Sequence, residues 1–280
     1  MLESCRGRRD SVAIVTINVC VAGATGWTGR PIAEAILACD DLAVRSAVSR
    51  SAAGQDLGAA WGGDPIGVEV HSAVAEALDG VDVLVDYTSG EVVRANTLAA
   101  LDRGVSVVIG TSGLSAEDFV DIDRAATEAG VGVVASGNFS LTAAMAQAAA
   151  LLVARHLPYR EIIDYASAGK PDAPSGTARE LAERLGEVRP NSVEMSVEQT
   201  RGQVEARGTT VAGTQVHSLR LPSFVVSTEV LFALPDERLS IRHDAGGTPE
   251  PYVGGTLLAV RAVVGRVGLT RGLDTLLLAG

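Results

Sequence analysis

The stretch VAIVTINVCVAGATGWTGRPIAEAILAC, residues 12–39, decides the fold. Residues 12–22 form a nearly unbroken apolar, β-branched run, the pattern of a strand buried on both faces. Ile32, Ala35, Ile36 and Cys39 then recur at helical spacing, so the segment predicts strand, turn and helix. Gly23, Gly26 and Gly29 punctuate the turn, with Thr25, Trp27 and Thr28 among them. A backbone free of Cβ atoms can approach a pyrophosphate, whose oxygens then meet the free amides and positive dipole end of the helix. Small residues at this spacing also serve simply to pack a helix tightly on a strand. The strand-turn-helix context favours the dinucleotide reading.

The next apolar run, LAVRSAVSR at 42–50, ends in Ser49 and Arg50. Sites that prefer NAD usually carry an Asp or Glu near this point to hold the ribose 2′-hydroxyl. A guanidinium instead accepts a 2′-phosphate in a bidentate contact, and a serine leaves room for it. The pair predicts a preference for NADPH, with NADH still usable.

Three further buried strands end in polar loops: Tyr87 and Thr88 after VDVLVD, Gly110, Thr111 and Ser112 after VSVVI, and Gly137, Asn138 and Phe139 after VGVVAS. Ligands of open parallel sheets collect outside the carboxyl ends of the strands, which places these loops beside the ribose and nicotinamide. Beyond about residue 160 the alternation turns to period two. Phe224, Val226, Thr228, Val230 and Phe232 share one side of a strand, and QVHSLRL, ERLSIRH and EIIDYAS complete an expected four-stranded sheet. Near the end, Leu257, Val260, Val264 and Val267 make a helical stripe expected to cover the first domain again.

The boundaries expected are an N-terminal extension at 1–11, a dinucleotide-binding domain at 12–138 and 251–280, and a substrate-binding and oligomerisation domain at 139–250. The chain of 280 residues is long enough for both. A net charge of −11 argues against nucleic acid, whose phosphates need a basic face. Cys5, Cys20 and Cys39 are odd in number and lack metal-ligand spacing, which suits a reducing cytoplasm and predicts no metal site. No segment is apolar enough for a membrane span.

In SAGKPDAPSGTAREL, residues 167–181, and the residues just after it, Ala178, Leu181, Ala182 and Leu185 follow helical spacing behind a capping Ser175. Ser175, Gly176 and Thr177 thus offer free amides and hydroxyls, and with the ammonium of Lys170 they suit a carboxylate. A capped loop with a surface lysine is the plainer alternative.

These residues resemble the dihydrodipicolinate reductase family over nearly the whole length: the glycine-rich turn, DYT at 86–88, GTSG at 110–113, GNFS at 137–140 and KPDAPSGTA at 170–178. The resemblance implies an α/β chain with a Rossmann-like parallel-sheet cofactor domain and an α+β mixed-sheet domain for substrate and tetramer assembly. It also implies hydride transfer from NAD(P)H to a cyclic imine bearing two carboxylates, as in lysine biosynthesis. Substrate would be held by Lys170, Ser175, Gly176 and Thr177, with Lys170 close to the proton-donating machinery.

The chain departs from the family at Trp27, where an arginine is common, at Gly169, and above all at Ala166 and Ser167, where the family carries a His-His pair. Neither residue is an acid near neutral pH, so Lys170 is left as proton-donor candidate, with Tyr165 a weaker one. Three readings stay open: the family's own reductase, a related imine reductase or amine dehydrogenase with another substrate, and a silent NADPH-binding homologue.

Overall fold

The computed structural model describes residues 15–278; the expected extension at 1–11 lies outside them. The described chain falls into two compact units, one running to Ala135 and resuming at Tyr252, the other spanning Ser136–Pro251.

In the first unit, strands β1 (Ile17–Ala22), β2 (Leu42–Val48), β3 (Val70–His71), β4 (Val83–Asp86), β5 (Ser106–Ile109) and β6 (Gly132–Ala135) alternate with helices α1 (Gly29–Leu37), α2 (Leu57–Ala60), α3 (Val93–Leu101) and α4 (Ala116–Ala129). Only the second half of the long apolar run enters β1; Val15 and Thr16 stand outside the ladder. Strands β4, β5 and β6 are buried at every residue, the reason their sequences read as continuous apolar runs rather than alternations. Ile32 and Ile36 of α1 are fully buried, each contributing roughly 1.5–3 kcal/mol. Burial pushes the Cys20 thiol up to about 12, which leaves it an inert core residue.

The loop after β2 is closed by one carboxylate. Asp56 Oδ1 accepts from the amides of Gly58 (2.8 Å), Ala59 (3.4 Å) and Ile66 (2.9 Å), and Oδ2 from Gly67 (2.7 Å) and Val68 (3.1 Å). These bonds, that of Ile66 foremost, hold its carboxyl below the usual range. A depressed folded pKa gives stability that is present above the unfolded carboxylate value of about 3.9 and is lost as pH falls through the folded one. Asp56→Ala is therefore expected to lower Tm at neutral pH, with the gap to wild type narrowing below about pH 4. Melting curves across that range test it; a gap that stays constant with pH refutes it.

The second unit contains α5 (Leu141–Ala154), β7 (Tyr159–Ala166), α6 (Gly176–Val188), β8 (Thr209–Val211), β9 (Thr214–Arg220), β10 (Val226–Leu234) and β11 (Glu237–Asp244). Its sheet is mixed, in the order β11-β10-β7-β9-β8. Strand β7 runs parallel to β9 and antiparallel to β10. Four strands were expected and five form; β8, three residues long, is too short to show an alternation. Ile162, Val216, Val230 and Phe232 pack inward against Ala150 and Ala154 of α5 and Ala178, Leu181, Ala182 and Leu185 of α6.

The chain then returns through α7 (Glu250–Val263), β12 (Gly268–Arg271) and α8 (Leu273–Leu278). Helix α7 buries Leu257 and Val260, but the expected stripe stops at Val263. Val264 and Val267 are exposed, because left-handed Gly265 (φ +86°) ends the helix and turns the chain into β12. The completed first sheet is parallel throughout, in the order β12-β6-β5-β4-β1-β2-β3. Among the described residues, no helix is long and apolar enough to cross a membrane.

Candidate active site

Strands β1 and β4 are neighbours, yet the chain leaves β1 toward β2 and β3 and leaves β4 toward β5 and β6. Connections that part in this way open a crevice at the strands' carboxyl ends. A cavity of about 740 Å³ lies there, walled by Gly23, Thr25 and Gly26 after β1, Ser49 and Arg50 after β2, and Tyr87 and Thr88 after β4. All seven were expected from the sequence. Ser72, Ser89 and Asn96 also line it and were not: Ser89 stands one residue beyond the DYT motif, and Ser72 and Asn96 are isolated polar residues with no motif around them.

Local geometry shows why glycine is needed. Gly23 adopts φ +84°, and a Cβ there would stand 2.3 Å from the Tyr87 carbonyl oxygen. A Cβ on Gly29 would stand 2.1 Å from the Gly23 carbonyl oxygen, so strand and helix meet at the closest approach that backbones allow. The Thr25 and Ser49 hydroxyls bond at 2.7 Å, tying the turn after β1 to the end of β2.

Asp86, fully buried at the end of β4, organises the other wall. Its Oδ1 accepts from the Thr88 hydroxyl (2.6 Å), the Thr88 amide (3.0 Å) and the Thr111 hydroxyl (2.7 Å), and its Oδ2 from the Asn96 side-chain amide (2.8 Å). Thr111 thus acts from behind the wall, its hydroxyl also accepting from the Thr88 amide at 2.8 Å. Gly110 makes room for the Tyr87 ring, which a Cβ would meet at 2.2 Å. The Tyr87 hydroxyl bonds Thr256 of α7 at 2.8 Å, and burial raises its pKa. Trp27, half exposed, meets the Tyr252 ring edge-on at 6.3 Å; Trp27, Thr28 and Ser112 stand outside the cavity wall.

In the second unit, Ser175 caps α6 by accepting from the Ala178 amide at 3.3 Å. The amides of Gly176 and Thr177, in the first turn, lack intrahelical partners. The GNFS loop is fastened to this same turn. The Thr177 hydroxyl donates to the Gly137 carbonyl (2.9 Å), Asn138 bonds Thr177 (3.4 Å), and the Gly137 amide donates to the Glu180 carboxylate. A Cβ on Gly137 would stand 2.6 Å from the Gly176 carbonyl oxygen. Phe139 is buried within this unit's loop. Lys170 pairs with Asp172 at 2.8 Å and keeps a quarter of its side chain exposed.

Tyr165 follows Asp164 on β7, and strand alternation points it away from the Ser175 turn. There it donates to Glu229 (3.1 Å), leans on Phe224 and lies under the Arg242 guanidinium. Burial and the Glu229 carboxylate raise its pKa. His217 pairs with Glu161 at 2.8 Å, and His243 bonds Thr142 at 3.0 Å. Burial, partly opposed by Asp244, lowers the His243 pKa and favours neutral imidazole. Ala166 is fully buried at the end of β7 and Ser167 is exposed. Among the described residues, no group of three or more His, Cys, Asp or Glu side chains could hold a metal.

The chain's relatives accord with this geometry. Residues 17–139 match the family model described as dihydrodipicolinate reductase, N-terminus, and residues 137–277 the model described as its C-terminus. A 4-hydroxy-tetrahydrodipicolinate reductase of Moorella thermoacetica is 38% identical over 268 residues, covering 94% of this chain and 99% of the relative. Among solved structures, a dipicolinate-bound dihydrodipicolinate reductase from Paenisporosarcina sp. TG-14 superposes with a TM-score of 0.71 at 26% identity, covering 93% of this chain and 99% of that one. An amine dehydrogenase from Mycobacterium smegmatis, at 16% identity and a TM-score of 0.61 over 91% of this chain and 94% of that one, shares the fold. With a glycine-rich crevice in one unit, the KPDAPSGTA loop in the other and both halves matched along their length, the chain belongs to the dihydrodipicolinate reductase family.

Proposed function

We propose that the protein is an NADPH-preferring reductase of the dihydrodipicolinate type, delivering hydride to a cyclic imine or enamine that bears two carboxylates, in the lysine and diaminopimelate pathway. The observation that carries this reading is the KPDAPSGTA loop, with its capping Ser175, first-turn amides that lack intrahelical partners and a lysine, a combination suited to a carboxylate.

The cofactor fits the crevice. A volume of about 740 Å³, a turn with no Cβ at its closest approach and a guanidinium after β2 suit a pyrophosphate and a phosphorylated ribose. When bound, the dihydronicotinamide supplies the hydride and its two electrons. The chain's own part is to hold the dinucleotide by Gly23, Thr25, Gly26, Ser49 and Arg50 and to hold the substrate by Ser175, Gly176 and Thr177. Lys170 would give a proton to the atom next to the carbon that receives hydride. With Ala166 and Ser167 in place of histidines, no imidazole serves this step at β7. The enzyme would work in the cytoplasm as a homotetramer, assembled on the open face of the mixed sheet that carries Ile163, Leu219 and Leu231.

The test is NADPH oxidation by the wild-type chain with freshly generated dihydrodipicolinate, beside other cyclic imino acids and an Ala166→His/Ser167→His variant. Steady wild-type turnover of dihydrodipicolinate is expected. Turnover of a different imine alone would move the chain to the neighbouring imine-reductase reading. The cofactor preference has its own test. Arg50→Ala is expected to raise the KM for NADPH about 10–100-fold, the worth of one charged hydrogen-bonding partner, and to leave that for NADH nearly unchanged. Equal effects on both cofactors would remove Arg50 from the 2′-phosphate.

A further inference from the structure

We propose that Asp164 and Arg220 are positioning residues that suspend the Lys170 loop from the sheet. The proposal rests on reading residues 170–178 as the substrate loop. Asp164 lies on β7, fully buried, on the face covered by α6. Arg220 ends the parallel strand β9, in register with Ala166. Asp164 Oδ2 accepts from the Ser175 amide (2.8 Å), the Ser218 hydroxyl (3.0 Å) and Arg220 Nη2 (2.9 Å). The same Nη2 donates to the Asp172 carbonyl at 2.6 Å. Asp172 and Ser175 thus hang from one buried ion pair, and Lys170, paired to the Asp172 side chain at 2.8 Å, takes its position from the same anchor.

The unused atoms point the same way. Arginine–carboxylate bridges are frequently bidentate, with two guanidinium nitrogens on two oxygens. Here Asp164 Oδ1 and Arg220 Nε are buried without a hydrogen-bond partner, while Oδ2 and Nη2 reach the loop. The cost of burying two charges can exceed what their pairing returns, so a buried pair is weak evidence of a purely stabilising role. What the arrangement secures is the placement of the loop. Neither residue is visible as a site in the sequence, since Arg220 stands far along the chain from the loop it holds.

The experiment compares wild type with Asp164→Asn/Arg220→Met, which removes both charges, keeps an acceptor for the Ser175 amide and keeps the arginine's apolar stem. Cooperative melting and NADPH affinity are expected to stay close to wild type, since the residues walling the cofactor cavity belong to the other unit. Amide hydrogen exchange at residues 168–177 should quicken about 10-fold or more, and affinity for pyridine-2,6-dicarboxylate should fall similarly. The catalytic constant for dihydrodipicolinate should drop by up to about 10²-fold, beyond any change in KM, as misplacement of a reacting group does. A melting-competent double variant with wild-type loop exchange and dicarboxylate affinity overturns the proposal. Should the double variant not melt cooperatively, Arg220→Lys, whose single ammonium cannot serve both partners, is read in the same way. A wild-type chain that neither binds the dicarboxylate nor turns over dihydrodipicolinate refutes the proposed function, while loop exchange still decides the anchor.

Discussion

Lys170→Met is expected to lower kcat by about 10²–10⁴-fold, the range that loss of a positioned proton donor produces. Methionine keeps the length and the apolar stem of lysine but carries neither proton nor charge. The ammonium of Lys170 is held by Asp172 at 2.8 Å and is partly exposed, so its removal leaves no buried orphan and stability should change little. The effect should therefore appear in turnover, with Tm and NADPH affinity close to wild type. Steady-state kinetics in dihydrodipicolinate, run beside a cofactor titration and a melt, separate the three quantities. A kcat within about twofold of wild type would take Lys170 out of proton transfer and leave it, at most, a carboxylate ligand.

The second large effect falls on the cofactor unit. Gly23→Ala places a side chain at φ +84°, which costs roughly 1–2 kcal/mol for any L-residue, and directs its Cβ to 2.3 Å from the Tyr87 carbonyl oxygen. That second contact is with backbone, so rotating a side chain cannot relieve it, and β1 and β4 must part at the point where the crevice opens. A loss of roughly 3 kcal/mol is expected, about 6–12 °C in Tm for a chain of this size, together with NADPH binding weakened about 10²-fold. Gly54→Ala is the matched comparison: Gly54 has φ +80° with nothing within 4 Å of its Cβ position, so it registers the conformational strain alone. Similar melting temperatures and affinities for the two variants would show that the Tyr87 contact carries no weight.

The parts that were legible in the sequence are those where a local pattern has a single physical meaning. Strands β4, β5 and β6 announce themselves as uninterrupted apolar runs because both faces of a parallel sheet are covered. The Ser175 cap and the apolar face of α6 follow from spacing alone. Strands β8 and β12, three and four residues long, give no period to read. Val264 and Val267 continue the α7 stripe on paper but lie past Val263, where the helix ends ahead of left-handed Gly265.

The crevice divides in the same way. Gly23, Ser49, Arg50 and Tyr87 each follow a strand and so reach one edge of the sheet, whereas Trp27 and Thr28 are close in sequence yet stand off the wall. Asp86, the acceptor that arranges Thr88, Thr111 and Asn96, reads in sequence as one more strand-ending residue. Its partners come from three separate segments, and only the folded chain brings them together.

The discontinuity of the first unit has a consequence for the order of events at the ribosome. Residues 136–251 form one uninterrupted compact unit and can complete their sheet as soon as they emerge. The parallel sheet cannot: β6 is left as a bare edge until residues 268–271 arrive to pair with it, after the whole second unit has been made. An unpaired apolar edge is a template for association with other nascent chains. The interval between the synthesis of Ala135 and that of Arg271 is therefore the window in which a chaperone, or slowed translation, would most affect the yield of native protein.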